Sequence, residues 1–176
     1  LSCTNESLGN ALEMANKFYE DGPFAACQPC FINEDETTAA PNDPLFSAQW
    51  ALKNTGQNQG TAGIDINYLP AREVTQGSSD IIVAVLDHGT QLDHDLNVSS
   101  KSYDTETGRS PSQIWGNHGT ACSGIISAKT NNNLGVAGIA PNCPVMSISN
   151  QLMGTSDAPQ KRADGFNWAW RNGASV

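Results

Sequence analysis

The stretch Ile81-Ile82-Val83-Ala84-Val85-Leu86-Asp87-His88-Gly89 decides how the rest of the chain is read. Its apolar run, Ile81 to Leu86, is rich in β-branched residues and has no polar alternation, which is the pattern of a strand buried on both faces of a parallel sheet. Asp87 closes that strand, and open parallel sheets gather their functional groups at the carboxyl ends of strands. An Asp-x-Gly sequence also makes an ordinary turn. Asp87 therefore needs a partner before it implies chemistry.

Downstream, His118 to Lys129 reads as a helix whose small residues Gly119, Ala121, Ser123 and Gly124 allow close packing on a sheet. Pro144 to Ser149 reads as a second strand, and Lys161 to Asn172 as a second helix with Ala163, Phe166 and Trp170 on one side. Strands alternating with helices argue for a parallel α/β sheet. At Asn172-Gly173-Ala174-Ser175-Val176 a capping glycine is expected to hand over to another buried strand, so the sheet reads as unfinished. An Asp at a strand end and a His at the start of the next long helix can act as orienting carboxylate and general base. Taken singly, His118 reads equally as a capping or core histidine.

Upstream, Ser7 to Glu20 carries Leu8, Ala11, Leu12, Ala15, Phe18 and Tyr19 at helical spacing, and Asp21-Gly22-Pro23 stops the helix. Phe24 to Ile32 reads as a brief extended segment. Asn33 to Pro44 (NEDETTAAPNDP) has the composition of an exposed linker. The expected organisation is thus residues 1–32, a linker at 33–44, and a domain over 45–176.

The 176 residues carry 9 Lys plus Arg against 18 Asp plus Glu, a net charge of −9. So acidic a chain offers no broad positive field, which excludes nucleic acid as an expected partner. No apolar run approaches the roughly 18 residues that a bilayer span requires. The first ten residues hold no signal-like segment, so any export signal is expected to lie upstream or to have been removed. Five cysteines, Cys3, Cys27, Cys30, Cys122 and Cys143, allow at most two disulfides. Cys27-Gln28-Pro29-Cys30 reads as a local disulfide or plain thiols, with a redox pair or half a zinc site as alternatives. Asn5 and Asn97 each open a glycosylation tripeptide, a pattern short enough to arise by chance.

VAVLDHGTQLDHDL (83–96) together with NHGTACSGIISAKTNNNLGVAGIAP (117–141) resembles the subtilisin-like serine proteases, whose triad runs Asp, His, Ser along the chain. NDPLFSAQWALKNTGQ (42–57) resembles the start of the mature domain in kexin-like and bacterial members, and FNWAWRNGASV (166–176) the helix entering the next strand. The resemblance covers Asn42 to Val176. It implies a three-layer α/β sandwich, incomplete in this chain, in which Asp87 orients His118 and His118 takes the proton of an attacking serine. None of Ser99, Ser100, Ser110, Ser112, Ser123, Ser127, Ser147, Ser149 or Ser156 lies in the Gly-Thr-Ser type of segment that supplies this serine. The serine and the oxyanion-stabilising Asn are therefore expected in the remainder of the catalytic domain, and residues 1–176 alone are expected to be inactive.

SLGNALEMANKFYEDGPFAACQPCF (7–31) resembles the end of an inhibitory α+β prosegment, with processing expected between Asn33 and Asn42. The resemblance further implies a structural Ca2+ held by Asp43, Asp95 and Asn132 with the carbonyls of Lys129, Leu134 and Val136. Such hard oxygen donors suit that cation. DHDL lacks the proline usual in the family. Cys122 matches a free cysteine that kexin-like and proteinase-K-like members carry one helical turn after the histidine. His88 stands where the kexin-like branch has a second Asp, so dibasic specificity is not implied. The expected protein is a secreted, periplasmic or cell-surface endopeptidase acting on protein or peptide substrates. The alternatives are a non-catalytic module using the same scaffold for binding, and a thiol-redox module at Cys27 and Cys30.

Overall fold

In the computed structural model, which describes residues 10–22 and 39–176, strands β1 (Val83–Asp87), β2 (Tyr103–Asp104) and β3 (Val145–Ser149) form a parallel sheet in the order β1-β3-β2. Val83 to Asp87 pair in register with Val145 to Ser149, so Asp87 stands beside Ser149 at the shared carboxyl end. The expected α/β architecture is present, with one exchange of roles. The fully buried strand is β3, although it carries Ser147 and Ser149, whereas Val83 to Leu86 are only half-buried. The cause is position: β3 is flanked by a strand on each side, while β1 pairs with β3 on one side and meets Ala174 beyond Ile82 on the other. There Ser175 N–H donates to Ile82 O at 2.8 Å, and Ala84 N–H to Val176 O at 2.8 Å. The turn leading there uses Gly173 at φ 96°, a left-handed conformation that favours glycine.

The core alternates with the pleat. Met146 and Ile148 of β3, with Ile82, Ala84 and Leu86, pack with Ala169 and Trp168 of α4 (Ala158–Arg171). The opposite residues of the strands then face α3 (His118–Ser127). α4 begins a turn earlier than its periodicity indicates, with a proline in its first turn. Its packed face also differs from the expected one: Ala163, Phe166 and Trp170 are exposed, and the helix rests on Gly165 and Ala169. A Cβ on Gly165 would lie 2.8 Å from Thr105 Cγ2 and 3.0 Å from Ile148 Cγ2, so only the smallest residue permits this approach. Trp168 leaves the helix sideways and stacks on Tyr103, with ring centroids 5.2 Å apart.

The chain divides into units between Thr37 and Thr38, and Ala39 to Pro44 lies in the second unit. Pro41 and Asp43 are buried, and Ala39 O accepts from Arg72 of α2 (Tyr68–Val74). The seven residues of α2 are too few to give a periodic signal. Tyr68 of α2 joins Phe46, Leu52 and Ala137 in a second core, and its hydroxyl donates to Gly138 O at 3.0 Å.

In the first unit α1 (Ala11–Asp21) starts at a capping box: Asn10 Oδ1 accepts from Leu12 and Glu13 N–H, and Glu13 returns a carboxylate to Asn10 N–H. Such a cap contributes about 1 kcal/mol. The Phe24 to Ile32 segment, Cys3, Cys27, Cys30 and Asn5 lie outside the described residues. Cys122 and Cys143 are free thiols.

β2 has no signature in the sequence, and it brings a fully buried carboxylate into the molecule. Asp104 Oδ1 accepts from Trp115 Nε1 at 2.9 Å and Ser149 Oγ at 2.8 Å, and Oδ2 from Thr107 N at 3.1 Å and Thr107 Oγ1 at 2.7 Å. Burial by itself pushes this carboxyl up, but the bonds from Trp115, Thr107 and Ser149 outweigh it and hold Asp104 below the ordinary carboxylate value. A carboxyl depressed in the folded state stabilises above its unfolded value, near ~3.9, and that contribution is lost as pH falls through the lower folded value. Asp104→Asn sets an amide NH2 against two donors in either orientation. It is expected to cost about 2–4 kcal/mol at pH 7, read from denaturant midpoints of the full-length protein. The gap to the unsubstituted protein should narrow below about pH 4. Equal midpoints at pH 7 would show that Asp104 stabilises nothing.

Candidate active site

The C-terminal end of β1 and the first turn of α3 meet because glycine stands on both sides of the contact. Gly89 turns the chain away from the strand at φ 91°. A Cβ on Gly119 would overlap Gly89 O and lie 3.1 Å from Asp87 Cβ. Hydroxyls then join the two segments. Thr90 Oγ1 and Ser123 Oγ are 2.7 Å apart, Ser123 Oγ donates to Gly119 O at 2.8 Å, and Gln91 N–H donates to Thr120 Oγ1 at 2.9 Å. β3 contributes from below: Ser147 Oγ accepts from Thr90 N–H, and Ser149 Oγ from Gln113 N–H, each at 2.9 Å. Trp115 N–H donates to His88 O at 2.7 Å, while its indole is held by Asp104.

This framework brings together the two residues singled out in the sequence. Asp87 Oδ2 lies 2.7 Å from His118 Nδ1, and Oδ1 accepts the His88 N–H at 2.7 Å. The carboxylate is 11% exposed and the imidazole 67%. With Nδ1–H donated to Asp87, the acceptor of the neutral ring is Nε2. The pair can therefore orient, take and return a proton at Nε2. Among the described residues no hydroxyl hydrogen-bonds His118. Cys122 Sγ is 3.7 Å from Nδ1, the nitrogen already bonded to Asp87, so the thiol backs the ring instead of competing for its working edge.

Of the second sequence-predicted group, Asp43 and Asp95 both bond the loop that carries Asn132. The loop after α3 turns at Asn131, Asn133 and Gly135, all with positive φ. Asp95 Oδ1 accepts from Asn132 Nδ2 at 2.6 Å, and a Cβ on Gly135 would lie 2.6 Å from Asp95 Oδ2, so the carboxylate closes on a notch kept open by glycine. The carbonyls of Gly135 and Ala137 accept from Leu45 N–H and Gln49 Nε2. Those of Lys129, Leu134 and Val136 accept no hydrogen bond from the described residues. Asp43 meets the same loop. Its oxygens accept the N–H groups of Asn131 and Asn132 at 3.0 and 3.1 Å, making it a clamp on the loop backbone. The donor set of Asp95, an amide and three free carbonyls fits a hard cation. Asn132 meets that fit on rotation of its amide, whose oxygen here accepts from Leu134 N–H.

The supporting residues Thr90, Asp104, Trp115, Ser147 and Ser149 are not singled out by any motif. The available signal is a strand alternating apolar residues with Ser at Met146-Ser147-Ile148-Ser149. Asn97 donates its amide to Pro141 O, so the side chain of that glycosylation tripeptide is engaged.

A family model described as the Subtilase family matches residues 78–176, from just ahead of β1 through α4 to the last residue. Human neuroendocrine convertase 2 is 38% identical over 117 residues, covering 61% of this chain and 18% of the convertase. The PC3-like endoprotease variant B of Hydra vulgaris is 33% identical over 156 residues, covering 84% of this chain and 22% of that protein. The crystal structure of the Aeromonas sobria serine protease in complex with a chaperone aligns with a TM-score of 0.64 at 29% identity, over 82% of this chain and 26% of the protease chain. The chain spans about a fifth of the length of the curated relatives it matches. The parallel sheet, the strand-end aspartate bonded to the helix-start histidine, and a family match over more than half of the residues together establish that this chain belongs to the subtilase family.

Proposed function

We propose that the full-length protein is a serine endopeptidase in which Asp87 and His118 are two members of the catalytic triad. The observation that carries this reading is the 2.7 Å contact between a nearly buried carboxylate oxygen and Nδ1 of an imidazole whose other edge is open. His118 Nε2 takes the proton of a serine hydroxyl as its oxygen attacks the peptide carbonyl, and the imidazolium then gives that proton to the departing amine. Asp87 remains ionised, holding the tautomer and stabilising the cation. The serine and the oxyanion donor come from the remainder of the catalytic domain. The substrate is a protein or peptide, and His88 beside Asp87 offers no second carboxylate for a basic side chain. A prosegment-like stretch ahead of the domain supports secretion, to the periplasm, the cell surface or the medium, since such a stretch keeps a protease silent until release. Among the described residues no helix is long and apolar enough to cross a membrane.

The same reading assigns a structural Ca2+ to the loop after α3, with Asp43, Asp95, Asn132 and the carbonyls of Lys129, Leu134 and Val136 as ligands. The ion would supply rigidity to the loop that joins α3 to β3.

A fluorophosphonate should add one label per full-length protein, and His118→Ala should abolish it. On a peptide substrate His118→Ala is expected to lower kcat by about 10^6 and Asp87→Asn by about 10^4, magnitudes taken from subtilisin and related triads. A folded protein that takes no label would instead favour the binding-module reading. For the cation, Ca2+ at about 100 times its dissociation constant contributes roughly 2.7 kcal/mol. Chelation should therefore lower Tm by several degrees, and Asp95→Ala should remove the Ca2+ dependence. A Tm indifferent to Ca2+ would contradict this assignment.

A further inference from the structure

Among the described residues, His88 is a titratable side chain beside Asp87 to which the mechanism gives no task. The backbone N–H of His88 donates to Asp87 Oδ1 at 2.7 Å, and the ring Nδ1 lies 3.9 Å from the same oxygen. Its ring stands edge-on to that of His118, with centroids 6.3 Å apart and planes at 79°. The ring is held in place: a Cβ on Gly116 would lie 3.0 Å from its Nδ1 and 3.2 Å from its Cγ, and Trp115 N–H fixes the His88 carbonyl. Its side chain is 30% exposed, enough for protons to exchange with water. One carboxylate thus has His118 bonded at Oδ2 and the His88 ring within ion-pair distance of Oδ1, the oxygen that the His88 backbone N–H already occupies.

Among the described residues three titratable groups stand at or behind the His88–Asp87 contact. They are Asp87 at the end of β1, His118 on α3, and Cys122 behind His118. The segment 112–117 packed over the ring contains no charged residue. Among the described residues Asp87 is the only acidic group within ion-pair distance of His88.

We propose that His88 is a positioning residue for the Asp87–His118 pair, its charge setting how readily His118 takes up a proton. The proposal deepens the protease reading and rests on it. A neutral His88 leaves the field of Asp87 to His118 alone. A charged His88 draws on the same carboxylate and repels the imidazolium of His118 across 6.3 Å. The two rings consequently gain protons as a coupled pair, and the acid limb of the activity profile is spread over a wider pH range than one ionisation gives.

The test is kcat/KM against pH for the full-length enzyme on a peptide without titratable groups, in His88→Asn and His88→Asp. The acid-limb midpoint is expected to rise by about 0.3–1 unit in His88→Asn, where the limb also sharpens to a single ionisation. It should rise further in His88→Asp, because an anion replaces the cation. A structural role alone would lower activity equally at every pH without moving the limb. Superposable acid limbs in an active enzyme would overturn the proposal. If neither protein nor variant turns over peptide or takes a fluorophosphonate, the protease reading fails. In that case the His118 ring resonance, assigned by its loss in His118→Ala, still reads the coupling: an unchanged titration midpoint in His88→Asn overturns it. His88→Gln serves if His88→Asn does not fold.

Discussion

Asp87 is an ionisable carboxyl set where a parallel strand ends and a helix begins, 11% exposed and hydrogen-bonded on both oxygens. Removing such a group from water is costly unless it keeps its partners. The partners here are one backbone N–H and one imidazole, and meeting them requires the first turn of α3 to lie almost on the backbone of Gly89. That requirement explains much of the local sequence. Glycine stands at 89 and 119 because a side chain at either would overlap neighbouring backbone, and Thr90, Thr120 and Ser123 join the two segments with short hydroxyl bonds.

The sheet serves the same end. A central strand would ordinarily be filled with branched apolar residues, yet β3 places Ser147 and Ser149 among Val145, Met146 and Ile148. Each hydroxyl anchors a loop: Ser147 holds Thr90, and Ser149 holds Gln113 and reaches Asp104. Asp104 in turn fixes the indole of Trp115, whose backbone is bonded to His88. The histidine is therefore supported from strand, loop and helix at once. The first turn of α3 is positioned without a side-chain cap at Asn117.

The parts of this arrangement legible in the sequence are those with a strong local signature. The unbroken run Ile81 to Leu86 announces a strand, the small-residue helix after His118 announces close packing, and the alternation announces a parallel α/β sheet. The ends of β1, β3, α3 and α4 differ by at most three residues, as caps and pairing partners dictate. The rest depends on distant contacts. β2 is two residues long and exists because Tyr103 and Asp104 meet Ile148 and Ser149. The packed face of α4 departs from its apolar periodicity because a helix approaching a sheet this closely selects Gly165 and Ala169, leaving Phe166 and Trp170 outward. The motif around Asp43 marks that residue, while the N–H groups it accepts, those of Asn131 and Asn132, lie nearly ninety residues away in sequence.

The central claim is that Asp87 acts through His118 and has no separate function. A double-substitution cycle measures this directly, with kcat/KM of the full-length enzyme determined for Asp87→Ala, His118→Ala and the combination. Residues acting as one unit are strongly non-additive, so the combined variant should be no slower than His118→Ala alone. Losses that multiply would show that Asp87 contributes independently of the imidazole, and would contradict that claim.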